Sequence, residues 1–315
     1  MRFKTKLGCL AVAVMLTTSC VGSEEVESNL VEATTVKGIY PGVPRPFSYP
    51  ESGTTQETNC GEYNGSPESW IFVTIKTSRR CELSGSYIIL ENSVISHRLN
   101  ISGHHIVVRD SEICCASAGA LLNIRSDSHH VVATRNEVHS NGEIPSKTDG
   151  HGIRLDANTS HIWILENQIH HNSGDGIQFC HSCVGRGNGP AFVYISGNTI
   201  HDDEENAIDL KEFRGPVVVT CNEMYGYEYL GFSGHGEAFR VNDEGAQGEL
   251  WSAHNTYRNN VTDVLPSRSR ATSFFLDEKG LVRTGATAVA SGDAAIRHYQ
   301  RFESRYGVSL RDPCW

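Results

Sequence analysis

The chain has 315 residues, is 38% hydrophobic and carries a formal charge of −10 at pH 7. That deficit argues against nucleic acid and against an anionic membrane surface as partners. It leaves room for an anionic polymer met by a local basic groove or a bound cation. The length suits two average domains, or one all-β fold with a long narrow core.

Residues 1–22 have the layout of an export signal: Arg2, Lys4 and Lys6, an apolar run over 7–16, then small residues up to Ser19 and Cys20. The run is too short to span a bilayer as a mature helix, so no transmembrane segment is expected in the processed chain. Simple cleavage and lipid anchoring at Cys20 both stay open, and either gives a secreted, cell-surface or periplasmic protein. In that oxidising setting the cysteines at 60, 81, 114, 115, 180, 183, 221 and 314 predict disulfides. Cys60–Cys81 and Cys180–Cys183 are the first candidates, with a metal site as the alternative for the latter pair. Residues 23–59 contain Pro41, Pro44, Pro46 and Pro50 and little periodicity, which predicts an arm or linker.

From 60 to 262 short β-rich runs recur. YIILENSV, IVVRDSEI, VVATRNEV, IWILENQI, VYISGNTI, VVVTCNEM and LWSAHNTY share apolar-x-apolar-x-x-Asn-x-apolar. Asn92, Ser111, Asn136, Asn167, Asn198, Asn222 and Asn255 hold the common place, at successive spacings between 19 and 33 residues. A second strand follows the later ones, as GALLNI, HGIRLD, DGIQFC, NAIDLK and EAFRVN. Self-similarity at this period predicts a solenoid. Apolar residues two apart, such as Ile162 and Ile164 or Val193 and Ile195, point into its core. An inward Asn at each corner can bond the backbone of its own turn and the Asn side chains above and below. Beyond 262 the repeat stops. Asp293 followed by Ile296, Tyr299 and Phe302 predicts a helix within a C-terminal cap spanning 263–315, which Cys314 could pin to Cys221.

This pattern resembles the right-handed parallel β-helix proteins of the pectate-lyase-like superfamily. The resemblance implies an all-β fold: a single-stranded right-handed parallel β-helix, or solenoid, with a C-terminal helical extension. A monomer is expected.

With Ile153, Ile177, Ile208 and Phe239 inward, alternation turns Arg154, Gln178, Asp209 and Arg240 outward in one column. Asp156, Cys180, Lys211 and Asn242 form the next, with rungs about 4.8 Å apart. The wall is either a salt-bridge ladder, Asp209 to Arg240 and Asp156 to Arg154, or a substrate groove. His151, His181 and His235 lie on loops near it. The acidic run Asp202, Asp203, Glu204 and Glu205 precedes the wall, and Asp149 and Asp175 occupy neighbouring places on the two preceding turns. Such carboxylates either converge on a hard cation, Ca²⁺, or form a solvated acidic loop. His139, His170 and His201 fall three residues after ladder asparagines, which predicts a structural stack continued by Tyr225. Trp163, Trp251, Tyr225, Tyr227 and Tyr229 are candidate sugar platforms.

The run HDDEENAIDLK resembles the segment of family 9 polysaccharide lyases in which acidic residues bind Ca²⁺ and a lysine abstracts a proton. The resemblance implies Lys211 as the base and Asp202, Asp203 and Glu205 as calcium ligands; if the carboxylates converge on a cation, Asp175 joins them from the preceding turn. The Phe-Ala-Ala of that motif is Ile208-Asp209-Leu210 here. The reaction it implies is Ca²⁺-assisted β-elimination of a uronic-acid-containing polysaccharide. Arg154 or Arg240 would face the leaving oxygen, and Asp209, Gln178, His151, His235 and Asn242 would bind substrate. Two other readings stand beside it. Lys147-Thr148-Asp149-Gly150, Asp202-Asp203 and Gly234-His235-Gly236 resemble motifs of polygalacturonase-type hydrolases, which implies two-carboxylate hydrolysis. The third is a glycan-binding β-helix without catalysis.

Overall fold

A computed structural model describes residues 45–144, 148–227, 236–241, 248–260, 262–266, 272–281 and 288–311. The chain divides into two compact units. The described part of the first, 48–53, has no regular element; the second holds the remaining described residues. The expected export signal, Cys20, Lys147, Tyr229, His235, Asn242 and Cys314 lie outside the described residues.

In the second unit the strands named below pair in parallel, and each turn contributes three of them. Gly150–Leu155, Ser160–Leu165 and Gln168–His170 make one turn. Ile177–Phe179, Ala191–Ser196 and Thr199–His201 make the next, paired in register onto the first. Apolar residues two apart are fully buried, as Ile162, Ile164, Val193, Ile195, Val217 and Val219 are, so stacked turns share one continuous core.

The corners explain the asparagines. Glu166, Cys221 and His254 adopt φ of 56°, 61° and 57° one residue before a ladder Asn, in the left-handed region that L residues seldom enter. Asn136 donates through its backbone N–H and its amide to Asn167 Oδ1, both at 3.0 Å, and the pattern repeats through Asn198, Asn222 and Asn255. Glu278 closes the ladder, taking the backbone N–H of Asn255 at 2.6 Å. At the other end Ser93 donates to Ser111 Oγ. Asn92 is therefore not a ladder residue; it is the left-handed corner at φ 50°, a place that also favours Asn.

Parallel pairing runs from Thr55–Thr58 to Ala288–Ala290, beyond the 60–262 expected. The outer turns replace Asn by Ser93 and Glu278, so the signature fades there while the coil continues. After a 3₁₀ turn at Gly292–Ala295, helix α1 (Ile296–Tyr306) ends at Gly307, which takes the left-handed conformation at φ 72°. It buries Tyr299 and Phe302, whereas Ile296 stays 36% exposed.

Trp163 and Trp251 are not sugar platforms. Trp163 stacks on Tyr194 beneath Phe47, and Trp251 lies between Phe274 and Phe302. Disulfides join Cys60 to Cys81 and Cys180 to Cys183 as expected; Cys114 to Cys115 is a third, between chain neighbours. Cys221 is also disulfide-bonded.

Candidate active site

The outward column forms as alternation requires. Asn123, Arg154, Gln178, Asp209 and Arg240 succeed one another in register on five turns. This is not a solvated ladder: Asp175 and Asp209 are 0% exposed and His151 and Gln178 3%. Buried charges on a sheet face need partners, so their contacts define the site.

Asp209 forms an ion pair with Lys211 rather than with Arg240. Neither of its oxygens has a further hydrogen-bond partner among the described residues, and Arg240 Nη1 is likewise buried without one. Arg154 is engaged by Asp156 at 3.1 Å and Asn123 at 3.3 Å, so that half of the salt-bridge expectation is present. One turn over, Asp175 accepts from Asn206 at 2.6 Å and from Gln178 at 2.9 Å. Its backbone N–H donates to His151 Nδ1 at 3.1 Å, and His151 Nε2 lies 3.2 Å from Asp149. That arrangement puts the proton of a neutral His151 on Nε2, toward Asp149.

Burial and Asp175 push Asp209 up to about 6, against the pull of Lys211 and Arg240. Burial also lowers the Lys211 ammonium, but Asp209 and Asp175 outweigh it and hold the proton more tightly than usual. His151 follows the same logic: burial lowers it, and Asp149, Asp175 and Glu205 reverse the sign. Desolvation raises Asp175. The result is an ammonium, a guanidinium and an imidazole interleaved with carboxylates on one buried wall. It can hold an anionic ligand and exchange protons with it.

The expected calcium ligands do not share this wall as a set. Asp203 Oδ1 takes the backbone and amide N–H of Asn172 at 3.0 and 2.8 Å, and its Oδ2 takes the Tyr227 hydroxyl at 2.7 Å. It belongs to a second ladder with Asn141 and Asn172, and burial pushes it up to about 7. Asp202 sits at a left-handed corner, bound to His201 Nδ1 at 2.7 Å. Asp175 and Glu205 do face His151, but amide donors already occupy both Asp175 oxygens. Among the described residues, the group of three ligand atoms within 4.8 Å of one another is Glu112, Cys114 and His139, away from the wall. Cys114 is tied to Cys115 there, so it offers no thiolate. Among the described residues, the expected ligands therefore do not fit a calcium cage.

His139, His170, His201 and Tyr225 stack at 5.1, 4.9 and 4.7 Å, the structural column expected. Tyr227 is buried and unavailable to a sugar. Asn206 and Asn123 were not foreseen as part of the wall. The second ladder had a signal: Asn141, Asn172 and Asp203 each follow Asn136, Asn167 and Asn198 by five residues.

The sequence matches the family described as "Right handed beta helix region" over residues 73–224. Pectate lyase Pel9A resembles the structure with a TM-score of 0.56 at 12% identity, over 79% of this chain and 68% of that one. The periplasmic alginate epimerase AlgG gives 0.48 at 13%, over 71% and 51%. The A-module of mannuronan C-5 epimerase AlgE6 from Azotobacter vinelandii gives 0.40 at 14%, over 76% and 90%. No curated protein sequence matches the chain.

Proposed function

Because the chain is built as a right-handed parallel β-helix, we propose that its buried wall cleaves a uronic-acid-containing polysaccharide by β-elimination. The observation that carries this reading is the buried Asp209–Lys211 pair with Arg240 on the adjoining rung. The like-folded pectate lyase supports the substrate class.

β-Elimination needs the uronate charge balanced, the C5 proton removed and the departing oxygen protonated. Arg240, with Nη1 unengaged, suits the carboxylate. Arg154, held by Asp156 and Asn123, is second to it. Neutral Lys211 takes H5. The C5–H electron pair becomes the C4–C5 double bond, the C4–O4 bond breaks, and the ammonium just formed can return a proton to O4. Because Asp209 and Asp175 hold the Lys211 proton tightly, the base form grows only toward alkaline pH. Gln178 and His151 orient Asp175 and so fix the charge around Lys211. His235 and Asn242 would supply further substrate contacts. Calcium has no part in these steps, because the donors expected for it do not converge among the described residues.

The hydrolytic alternative loses Asp203, whose oxygens serve Asn172 and Tyr227. Incubation with pectate, alginate and glycosaminoglycan separates the readings. An unsaturated uronide supports elimination, new reducing ends without unsaturation mean hydrolysis, and neither product means a binder.

A further inference from the structure

A second feature lies on another strand stack of the coil, at the left-handed residue near the start of Ser160–Leu165. Tyr87, His105, His130, His161 and Phe192 share one column, each with φ between 52° and 54°. Their rings stack at 4.7, 4.8, 4.6 and 4.8 Å in succession. The spacing of parallel rungs, about 4.8 Å, leaves room for one flat ring per turn. The ladder ends at Phe192, because register puts Pro216 and then Glu249 at that place on the next rungs.

The adjacent column shrinks in the same direction. It passes from His104 and His129 through Ser160 and Ala191 to Gly215 and Gly248. Tyr306 and Arg305 at the end of α1 then border the trough left behind, both held by Glu249. A cavity of about 450 Å³ results. That is within the size range of small-molecule clefts, roughly 300–1,000 Å³.

The cavity offers a ring face and an unengaged guanidinium. Phe192 is 39% exposed. The Arg214 side chain is exposed and has no ion pair or hydrogen bond among the described residues. An apolar ring face suits the C–H face of a pyranose, and a free guanidinium suits a carboxylate. In a chain of net charge −10, an unpaired arginine beside an open aromatic is a selective combination for an acidic sugar.

We propose that this cavity is an accessory saccharide site, in which one uronate ring of a polymer stacks on Phe192 and its carboxylate meets Arg214. The ligand class rests on the elimination reading above; the site itself is separate from the Lys211 wall. It would hold a second stretch of polymer and raise affinity for long chains over short ones.

The test is calorimetric titration of the full chain with tetragalacturonate, in a Lys211→Ala background so that turnover does not contribute heat. Phe192→Ala should weaken binding about tenfold and Arg214→Gln about fivefold, with circular dichroism unchanged because both side chains are exposed. Neutral cellotetraose should show no dependence on Arg214. Tetragalacturonate binding unaffected by both substitutions, or no binding at all, overturns the site. Phe192-dependent binding, with no unsaturated product formed by the chain that keeps Lys211, overturns the lyase reading alone. Lyase activity with binding indifferent to Phe192 and Arg214 overturns this inference alone.

Discussion

Replacing Asn167 by Ala should be the most damaging single change to the coil. Asn167 Oδ1 accepts the backbone and amide N–H of Asn136, each at 3.0 Å. Its amide donates to Ala133 O at 3.0 Å and to Asn198 Oδ1 at 2.9 Å. All four bonds are buried, so truncation takes one bond from each of four groups with no water to replace it, although Asn198 Oδ1 keeps the Asn167 backbone N–H and the Asn136 amide keeps Val108 O. At about 1 kcal/mol net for each, the cost is about 4 kcal/mol, a large share of a typical domain's stability. Urea denaturation followed by circular dichroism measures it, with Gln168→Ala as an exposed neighbour expected to stay within about 0.5 kcal/mol. Stacked turns can lose cooperativity, so hydrogen exchange of Asn136 and Asn198 should accompany the melt and accelerate selectively. A loss below about 1 kcal/mol, or one equal to the Gln168 control, would refute the claim that the ladder supports the corners.

The wall yields further expectations. Lys211→Ala should abolish product formation while leaving the circular dichroism spectrum intact; retained activity removes it as the base. Asp209→Asn takes away the carboxylate that contributes most to holding the Lys211 proton. A raised lysine delays the base form to higher pH, so this substitution should move the ascending limb of kcat/KM toward lower pH, and an unmoved limb argues against Lys211 as the titrating group. Asp203 titrates at about 7 in the fold, against 3.8 for its ordinary value. The folded protein thus binds a proton the unfolded chain releases, and that contribution fades as pH rises from about 4 to about 7. Asp203→Asn should therefore raise Tm at pH 8 and give no gain at pH 4; a pH-independent effect would mean the carboxyl is not buried as described. Chelation should leave activity unchanged, and loss restored by Ca²⁺ would show that the donors rearrange around an ion.

The coil was legible because each turn repeats two things that physics makes expensive to omit. Inward pairs such as Ile162 and Ile164 build the core, and Asn167 and its neighbours satisfy corners that carry left-handed residues. The column Arg154, Gln178, Asp209 and Arg240 was equally legible, since alternation on parallel strands leaves no other place for it. What failed was anything decided by side-chain direction at a corner. Asp202 and Asp203 are adjacent in sequence, yet a left-handed φ at Asp202 sends one to His201 and the other into the core ladder. Convergence on a cation was one of two expectations for the acidic run, and Asp202 and Asp203 instead take two separate structural roles. Trp163 and Trp251 were misread because nothing in their own strands announces that Phe47 and α1 cover them. The end of the coil was misplaced because Glu278 performs the work of an asparagine.

Product analysis after incubation with pectate, alginate and glycosaminoglycan addresses the main functional claim most directly. Elimination at the Asp209–Lys211–Arg240 wall predicts a rise in ultraviolet absorbance from a new C4–C5 double bond with at least one of them, absent in Lys211→Ala. Chain cleavage without that absorbance, or the same absorbance from Lys211→Ala, would contradict it.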